Sequence, residues 1–153
     1  MDAFESRIKA RLYEVWDLWK PDYDGWLAWS DASYAPDATI KAIGDEPQRF
    51  TDYQQAMKVY RDAFDMEMGP IETFVVQGDT TAHSYTMRMT QKAEIMGIPA
   101  TGRTVIIPTT EFNTFAEVPG FDEPMIVRLE LLSAGLLEQL VTVGDDGRLA
   151  LPA

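Results

Sequence analysis

The stretch GIPATGRTVIIPTTEF, residues 97–112, contains the features that decide the fold. It opens with a turn rich in glycine and proline, the residues that most often interrupt regular structure. It continues as a run of β-branched residues, which is typical of a strand. The run leads to Glu111, and acidic side chains are rare in strands unless they face solvent or a functional site. The stretch therefore predicts a hairpin and a strand, and the role of the strand depends on which way Glu111 faces.

A second long strand is predicted just before this turn, in TTAHSYTMRMTQKAE, residues 80–94. Its odd positions carry His83, Tyr85, Met87 and Met89, whereas its even positions are mostly small or polar. Alternate side chains of a strand face opposite sides of a sheet, so the odd set is predicted to be buried. The same test gives no answer for Glu111, because both faces of its strand are mixed.

The N-terminal half has helical patterning. Apolar residues recur at spacings of three and four in residues 4–19, in DYDGWLAWSDAS, and after Thr51, which is the expected N-cap of a helix running to Gly69-Pro70. Between the second and third helices, ATIKAI predicts a short first strand.

The C-terminal half predicts a meander of strands. IETFVVQ turns at Gly78-Asp79 into the strand of His83, and MIVRLELL forms the last long strand. Pro108 is predicted to mark a bulge or an edge. SAGLLEQL predicts a short closing helix, which ends a single domain of residues 1–140, and residues 141–153 are predicted to form a tail or a weak hairpin.

Helices followed by antiparallel strands indicate the α+β class. Bulged strands allow a sheet to curl around the three N-terminal helices. We therefore expect a mixed, mainly antiparallel sheet in the shape of a cone, which the helices close on one side around an apolar pocket.

Composition limits the function classes. The chain has 153 residues, a net charge of −12 and 46% hydrophobic residues, which argues for a neutral or apolar ligand and against nucleic acid or an anionic membrane. It has no cysteine and one histidine, which excludes thiolate chemistry and multi-histidine metal sites. Since neither a leader peptide nor an apolar membrane span is visible, we expect a cytoplasmic protein with a small apolar or aromatic ligand, no metal and no cofactor.

Three stretches of the sequence resemble one known superfamily. They are YAPDATI, the pair QGDTTAHSYTMRM and GIPATGRTV, and MIVRLELLSAGLLEQL. In this order they are similar to the nuclear transport factor 2-like superfamily, and within it to SnoaL-like polyketide cyclases, from about residue 13 to 140. The resemblance implies a cone-shaped sheet around a deep apolar pocket. It also implies ring closure of polyketides, isomerisation, dehydration, epoxide hydrolysis or ligand binding, among which the fold does not choose.

The sequence departs from the catalytic pattern of these relatives. SnoaL-like cyclases carry a catalytic aspartate on the last strand, and its position here falls at Leu132, Ser133 or Ala134, none of which is acidic. Ketosteroid isomerases carry their base in a region that corresponds to Lys41-Ala42, again without an acid. The resemblance therefore places neither well-known carboxylate in its usual position.

Glu111 is the leading catalytic candidate. The isomerases have an aspartate four residues before a phenylalanine on the third long strand, and counting back from Phe115 gives Glu111. Inside a pocket, burial would raise its pKa toward neutrality and make it a general acid or base. On the surface it would be a solvated acid. His83 is the second candidate, either as an acid–base partner of Glu111 or as a buried core histidine.

Six further residues are candidate substrate contacts, each with core packing or a surface position as the alternative: Tyr85, Tyr34, Asn113, Trp29, Tyr13 and Met87. Three function classes follow. The first is a cyclase or isomerase that uses enolate chemistry on an apolar, carbonyl-bearing substrate. The second is a binding protein that has lost the chemistry, and the third is a structural dimerisation module with a filled cavity. An exposed sheet face would favour a homodimer or a higher homo-oligomer.

Overall fold

The computed structural model describes residues 1–42, 45–133 and 136–140, and the backbone of two short strands at 142–143 and 149–150. Its helices are α1 (Ala3–Asp17), α2 (Tyr23–Ser33), α3 (Phe50–Ala63) and α4 (Leu136–Leu140). Its strands are β1 (Tyr34–Ala42), β2 (Gln48–Arg49), β3 (Phe64–Met68), β4 (Thr73–Gln77), β5 (Thr80–Gln91), β6 (Thr104–Ala116), β7 (Met125–Ser133), β8 (Thr142–Val143) and β9 (Leu149–Ala150). The predicted α+β class is confirmed.

One mixed sheet carries most of the chain. Its strands follow the order β2-β1-β7-β6-β5-β3, and β4 also pairs with β5. The pair β1–β7 is parallel and the other pairs of this sheet are antiparallel. Strands β8 and β9 form a separate antiparallel pair in the predicted tail. The large sheet does not close into a barrel, so one side remains for the helices to cover.

The first helix follows its sequence pattern. Asp2 and Glu5 form a reciprocal capping box that satisfies backbone N–H groups at its start. Its buried residues are Ile8, Leu12 and Val15, which lie at the predicted spacing of four and three. Ile8 and Leu12 belong to the main core cluster, so α1 covers the open side of the sheet.

Three predicted boundaries are wrong. The first strand begins at Tyr34, directly after α2, because the segment joins β7 in parallel instead of continuing a helical exit. Helix α3 starts at Phe50 with Arg49 at the cap position, so Thr51 is not the N-cap. It ends at Ala63 rather than at Gly69-Pro70. Strand β3 follows it, because the residues after Ala63 pair with the end of β5.

The bulge in β6 lies away from the proline. Pro108 is in register with Thr86, whereas the register between β6 and β7 shifts between Thr114 and Phe115. Of the two predicted alternatives, the bulge at Pro108 is therefore wrong. The pairing of β6 with β7 begins at Thr109, so at Pro108 strand β6 is paired with β5 alone, in agreement with the predicted edge. The irregularity next to Phe115 is instead close to the end of the strand, where it allows the local bend typical of bulges.

The hairpin between β5 and β6 is anchored by one buried side chain. Gln91 donates hydrogen bonds to the carbonyl oxygens of Ala93 and Ile98, both at 3.1 Å. Its amide oxygen accepts from the backbone N–H of Thr101 at 3.1 Å and from the Thr101 hydroxyl at 2.6 Å. Gly97 and Gly102 have φ angles of 78° and 69°, which glycine adopts without a steric cost.

None of the described helices is both long and apolar enough to cross a membrane.

Replacing Gln91 with methionine, which has a similar volume, tests this anchor. The Gln91→Met variant removes four part-buried hydrogen bonds from the hairpin, so we expect the free energy of unfolding to fall by about 2–3 kcal/mol. Urea denaturation measures it. The matched control is Gln77→Met at an exposed position of β4, where the change is expected to stay within about 0.5 kcal/mol. Similar small losses in both variants would contradict the anchor.

Candidate active site

A cavity of about 450 Å³ lies between the helices and the inner face of the sheet. Most of its wall is apolar. It includes all four tryptophans and five methionines: Trp16, Trp19, Trp26, Trp29, Met57, Met66, Met68, Met87 and Met89. Glu111 is among the few ionisable groups on the wall. This is the form of a small-molecule site, an apolar recess with a few polar groups that fix orientation.

Glu111 faces this cavity. In β6 the odd residues Val105, Ile107, Thr109, Asn113 and Phe115 are buried, and Glu111 belongs to the same face. Its side chain is 13% exposed and its Oε1 accepts a hydrogen bond of 2.7 Å from the Tyr85 hydroxyl. The structure thus answers the question that the sequence left open.

Burial raises the pKa of the Glu111 carboxyl, because an ion loses hydration inside an apolar wall. The hydrogen bond from Tyr85 lowers the pKa and offsets part of this rise, and the Asn113 amide acts in the same direction. Neither side-chain atom of Asn113 has a hydrogen-bond partner among the described residues, so we attribute its effect to a nearby dipole. The net result is a carboxyl that is easier to protonate than a surface glutamate.

His83 lies directly behind this carboxylate. It is the register partner of Glu111 on β5, and its Nε2 is 3.6 Å from Glu111 Oε2. The imidazole is 1% exposed, and neither of its nitrogens has a hydrogen-bond partner among the described residues. Burial lowers the pKa of His83 to about 4. At neutral pH His83 is therefore an uncharged neighbour of Glu111, not its ion-pair partner.

Trp16 holds these groups in place from the helical side. Its ring packs edge-on against His83 and Tyr85, with centroid distances of 4.6 and 4.5 Å. Its indole N–H donates to the carbonyl oxygen of Gly69 at 3.2 Å. Burial and the adjacent Glu111 raise the pKa of Tyr85 well above its usual value, so the phenol stays protonated and can donate.

The structure brings together most of the predicted site residues. Glu111, Tyr85, Tyr34, Trp29 and Met87 line the cavity. His83 and Asn113 are buried behind this wall, and they do not line the cavity themselves.

Tyr13 is not a cavity residue. It is 40% exposed and its ring lies 5.4 Å from that of Phe74. On α1 the inward stripe passes through Leu12 and Val15, and Tyr13 follows Leu12 by one residue, about 100° around the helix. The prediction of Tyr13 as a substrate contact is therefore corrected.

The positions of the missing carboxylates are now defined. Leu132 is exposed, Ser133 lines the cavity, and Ala134 lies outside the described residues. In the region of the isomerase base, Lys41 is exposed and Ala42 lines the cavity. Among the described residues, no group of three or more histidines or acids is arranged to hold a metal ion.

Tyr53 and Arg61 on α3 are among the cavity residues that the sequence analysis did not propose as site residues. A signal existed, because Tyr53, Met57 and Arg61 are spaced by four and therefore share a helix face. The sequence analysis did not place Arg61 in the cavity wall, because a charged arginine is rarely buried.

Comparison with known protein families gives one match over most of the chain. The sequence profile described as SnoaL-like polyketide cyclase matches residues 6–118.

The chain belongs to the SnoaL-like polyketide cyclase family. Solved structures of the same fold include a protein from Jannaschia sp. CCS1 assigned as a SnoaL-like polyketide cyclase, with a TM-score of 0.74 and 16% identity over 91% of this chain and 93% of that chain. IdmH from Streptomyces antibioticus, assigned as a polyketide cyclase, has a TM-score of 0.61 and 24% identity over 88% of this chain and 94% of that chain. A ketosteroid isomerase-like protein from Erwinia carotovora atroseptica has a TM-score of 0.56 and 14% identity over 87% of this chain and 98% of that chain. No curated protein matches the sequence.

The lowered pKa of His83 predicts how the stability of this SnoaL-like protein depends on pH. In the unfolded chain His83 takes up a proton below pH 6.5, whereas in the folded chain it does so only below about pH 4. Between these pH values the unfolded chain binds more protons, so acid favours unfolding. Between pH 7.5 and 5 we expect the wild type to lose about 2 kcal/mol relative to a His83→Gln variant.

Urea unfolding of both proteins at the two pH values measures this difference. His83 is the single histidine, so the variant removes all imidazole titration, and the contribution of Glu111 is common to both proteins. Equal pH dependence in the two proteins would mean that His83 titrates normally and is not desolvated.

Proposed function

We propose that the protein moves a proton at the carbon next to a carbonyl group of an apolar, polyketide-type substrate. Glu111 is the group that takes and returns this proton. The observation that carries the proposal is a carboxyl that faces an apolar cavity, accepts a hydrogen bond from Tyr85, and has a pKa raised by burial.

The raised pKa suits Glu111 to both halves of a proton transfer. As the carboxylate it removes a proton from the substrate carbon, and the C–H electrons become an enolate. As the resulting carboxylic acid it returns the proton. If the enolate carbon attacks a second carbonyl of the same molecule, a C–C bond forms and a ring closes. The π electrons of that carbonyl move to its oxygen, which takes the proton back from Glu111. If the proton returns at another carbon, the double bond has moved and the reaction is an isomerisation.

The cavity also offers neutral donors for the enolate oxygen. Tyr34 and Tyr53 line it, and burial raises the pKa of Tyr53 to about 12, so its hydroxyl stays protonated. Neutral donors can bind a developing oxyanion without the cost of burying another charge. In this role Tyr85 is a positioning residue, because its hydroxyl is engaged with Glu111.

The wall favours a flat substrate with fused rings. Tryptophans and methionines dominate it, and such side chains pack against aromatic faces and adapt to irregular shapes. The family name supports a polyketide-type substrate, since it describes polyketide cyclases.

A binding protein without chemistry is the second candidate. The observation that favours it is the absence of an acid at Leu132 and Ser133, where the cyclases carry theirs. A purely structural module is less consistent with the molecule, because its cavity would be filled by side chains and this one has a volume of about 450 Å³. A homodimer remains a prediction.

Hydrogen exchange of a model ketone tests the chemistry without the natural substrate. We expect the wild type to accelerate exchange of the α-protons of 2-tetralone with D2O, as followed by proton NMR. Glu111→Gln keeps the shape of the side chain and removes the base, so the rate is expected to fall by about 100-fold or more.

The matched control is Glu130→Gln. Glu130 is a partly exposed carboxylate on β7 opposite the exposed Phe112, and this variant is expected to exchange at the wild-type rate. Tryptophan fluorescence quenching by 2-tetralone reports binding in each variant. If 2-tetralone binds to all three proteins and none accelerates exchange, the catalytic proposal fails and the binding protein remains.

The Tyr85→Phe variant tests the positioning role. Tyr85 lowers the pKa of Glu111 through its hydrogen bond, so its loss raises that pKa further. We expect the acid limb of the exchange-rate profile, where Glu111 becomes the active carboxylate, to shift to higher pH. A lower rate with an unshifted limb would contradict the hydrogen bond as the cause. Carbon NMR titration of the Glu111 carboxyl measures the same shift without a substrate.

A further inference from the structure

One buried cation in the cavity is not used by the proposed proton transfer. Arg61 lies near the C-terminal end of α3, is 9% exposed and lines the same cavity as Glu111. Its guanidinium carbon is 4.6 Å from the ring centroid of Trp26 and 5.0 Å from that of Trp19. Two aromatic rings therefore fix the orientation of its planar fork.

The contacts of Arg61 within the protein use only part of its hydrogen-bonding capacity. Its Nη1 donates to the carbonyl oxygens of Lys20 and Pro21, at 3.3 and 3.1 Å. Its Nε is buried and has no partner among the described residues. Arginine has five N–H donors in a fixed plane, so these two contacts leave donors available.

The charge of Asp22 acts on Arg61 and favours its charged form, but the two residues do not form an ion pair. Among the ion pairs formed by the described residues, none includes Arg61. Burial lowers the pKa of the guanidinium to about 10, which reflects the cost of holding the cation away from water. A buried charge without a contacting ion-pair partner is unfavourable, and an anion that enters the cavity would relieve the cost.

Arg61 and Glu111 act on the same space. Tyr53 is within electrostatic range of both groups, and Tyr85, the hydrogen-bond partner of Glu111, is within range of Arg61. A ligand that binds Arg61 with one end therefore occupies the cavity that Glu111 also lines.

We propose that Arg61 binds a carboxylate group of the ligand, so that the substrate is a polycyclic or aromatic carboxylic acid whose carbonyl end faces Glu111. The planar fork of arginine matches the two oxygens of a carboxylate, and this pairing gives both affinity and orientation. The inference rests on the proposed function in one respect, since it takes the cavity as the substrate site.

Because the protein has a negative net charge, a preference for a carboxylate ligand over a neutral one would indicate a local cation in the cavity. At −12, the long-range field repels anions, so nonspecific binding would favour a neutral ligand over an acid. A preference for the acid must come from a local cation in the cavity.

A matched pair of ligands tests the proposal, 2-naphthoate and its neutral analogue 2-naphthamide, with affinities from isothermal titration calorimetry. We expect the wild type to bind 2-naphthoate at least about tenfold more tightly, because a hydrogen bond to a charged group contributes that much or more. In Arg61→Gln this preference is expected to vanish, while the affinity for 2-naphthamide changes by less than about twofold. Equal affinities of the wild type for the two ligands would overturn the proposal.

The control variant is Arg88→Gln, which removes the same unit of charge from an exposed position of β5. The Arg88→Gln variant is expected to keep the preference for 2-naphthoate over 2-naphthamide. If this variant lost the preference, the overall charge and not Arg61 would be its cause.

Arg61 also contacts the segment between α1 and α2, so its substitution can destabilise the protein. A second measurement is therefore made on the wild type, and a variant serves only to assign a signal. In protein labelled with ¹⁵N-arginine, the Nε–H signal of Arg61, assigned with Arg61→Lys, is expected to shift with 2-naphthoate and not with 2-naphthamide. An unchanged signal at saturating 2-naphthoate would overturn the proposal. Exchange of 2-tetralone needs no anion, so Glu111-dependent exchange without a carboxylate preference would reject only the role of Arg61. The reverse result would reject only the chemistry.

Discussion

The register between β5 and β6 is the constraint on which the rest of the site depends. Eleven residue pairs, from Thr80↔Thr114 to Thr90↔Thr104, fix the two longest strands against each other. This register places His83 beside Glu111 and turns both toward the helices. A slip of one residue would turn the opposite set of side chains inward and expose the carboxyl. The Gln91 anchor at the hairpin therefore supports the chemistry from a distance, because it fixes where the pairing starts.

Desolvation is the common cause of the electrostatic properties of the site. The same apolar surroundings raise the pKa of Glu111, lower that of His83 to about 4, and lower that of Arg61 to about 10. Each shift favours the uncharged form of its group. The three effects have different consequences. The carboxyl is easier to protonate than a surface glutamate, and the imidazole becomes a neutral neighbour. The guanidinium keeps a charge that has no ion-pair partner among the described residues.

The sequence predicted the parts of the fold that repeat. Alternation in β5 identified its buried face, and the helical spacing of Ile8, Leu12 and Val15 identified the inner face of α1. It did not decide the direction of Glu111, because the two faces of β6 are similar in polarity and only pairing with β5 distinguishes them. Strand β3 was missed, since it follows α3 directly and no turn residue separates them. Arg61 was missed because its charge argued for solvent, whereas Trp19 and Trp26 shelter it.

The alternation of side chains along the long strands has an evolutionary consequence. Ser133 on β7 and Glu111 on β6 both line the cavity, although they belong to neighbouring strands. Whether a side chain reaches the cavity thus depends on the face of the sheet that it occupies and on its distance along the strand. Several backbone positions on neighbouring strands meet both conditions. An acid can be lost from one strand and gained on the next by point substitution, with no rearrangement of the backbone. Homologues of this shape can therefore share a reaction without sharing an alignment column for its key residue, and a search for an acid at one fixed column would overlook them.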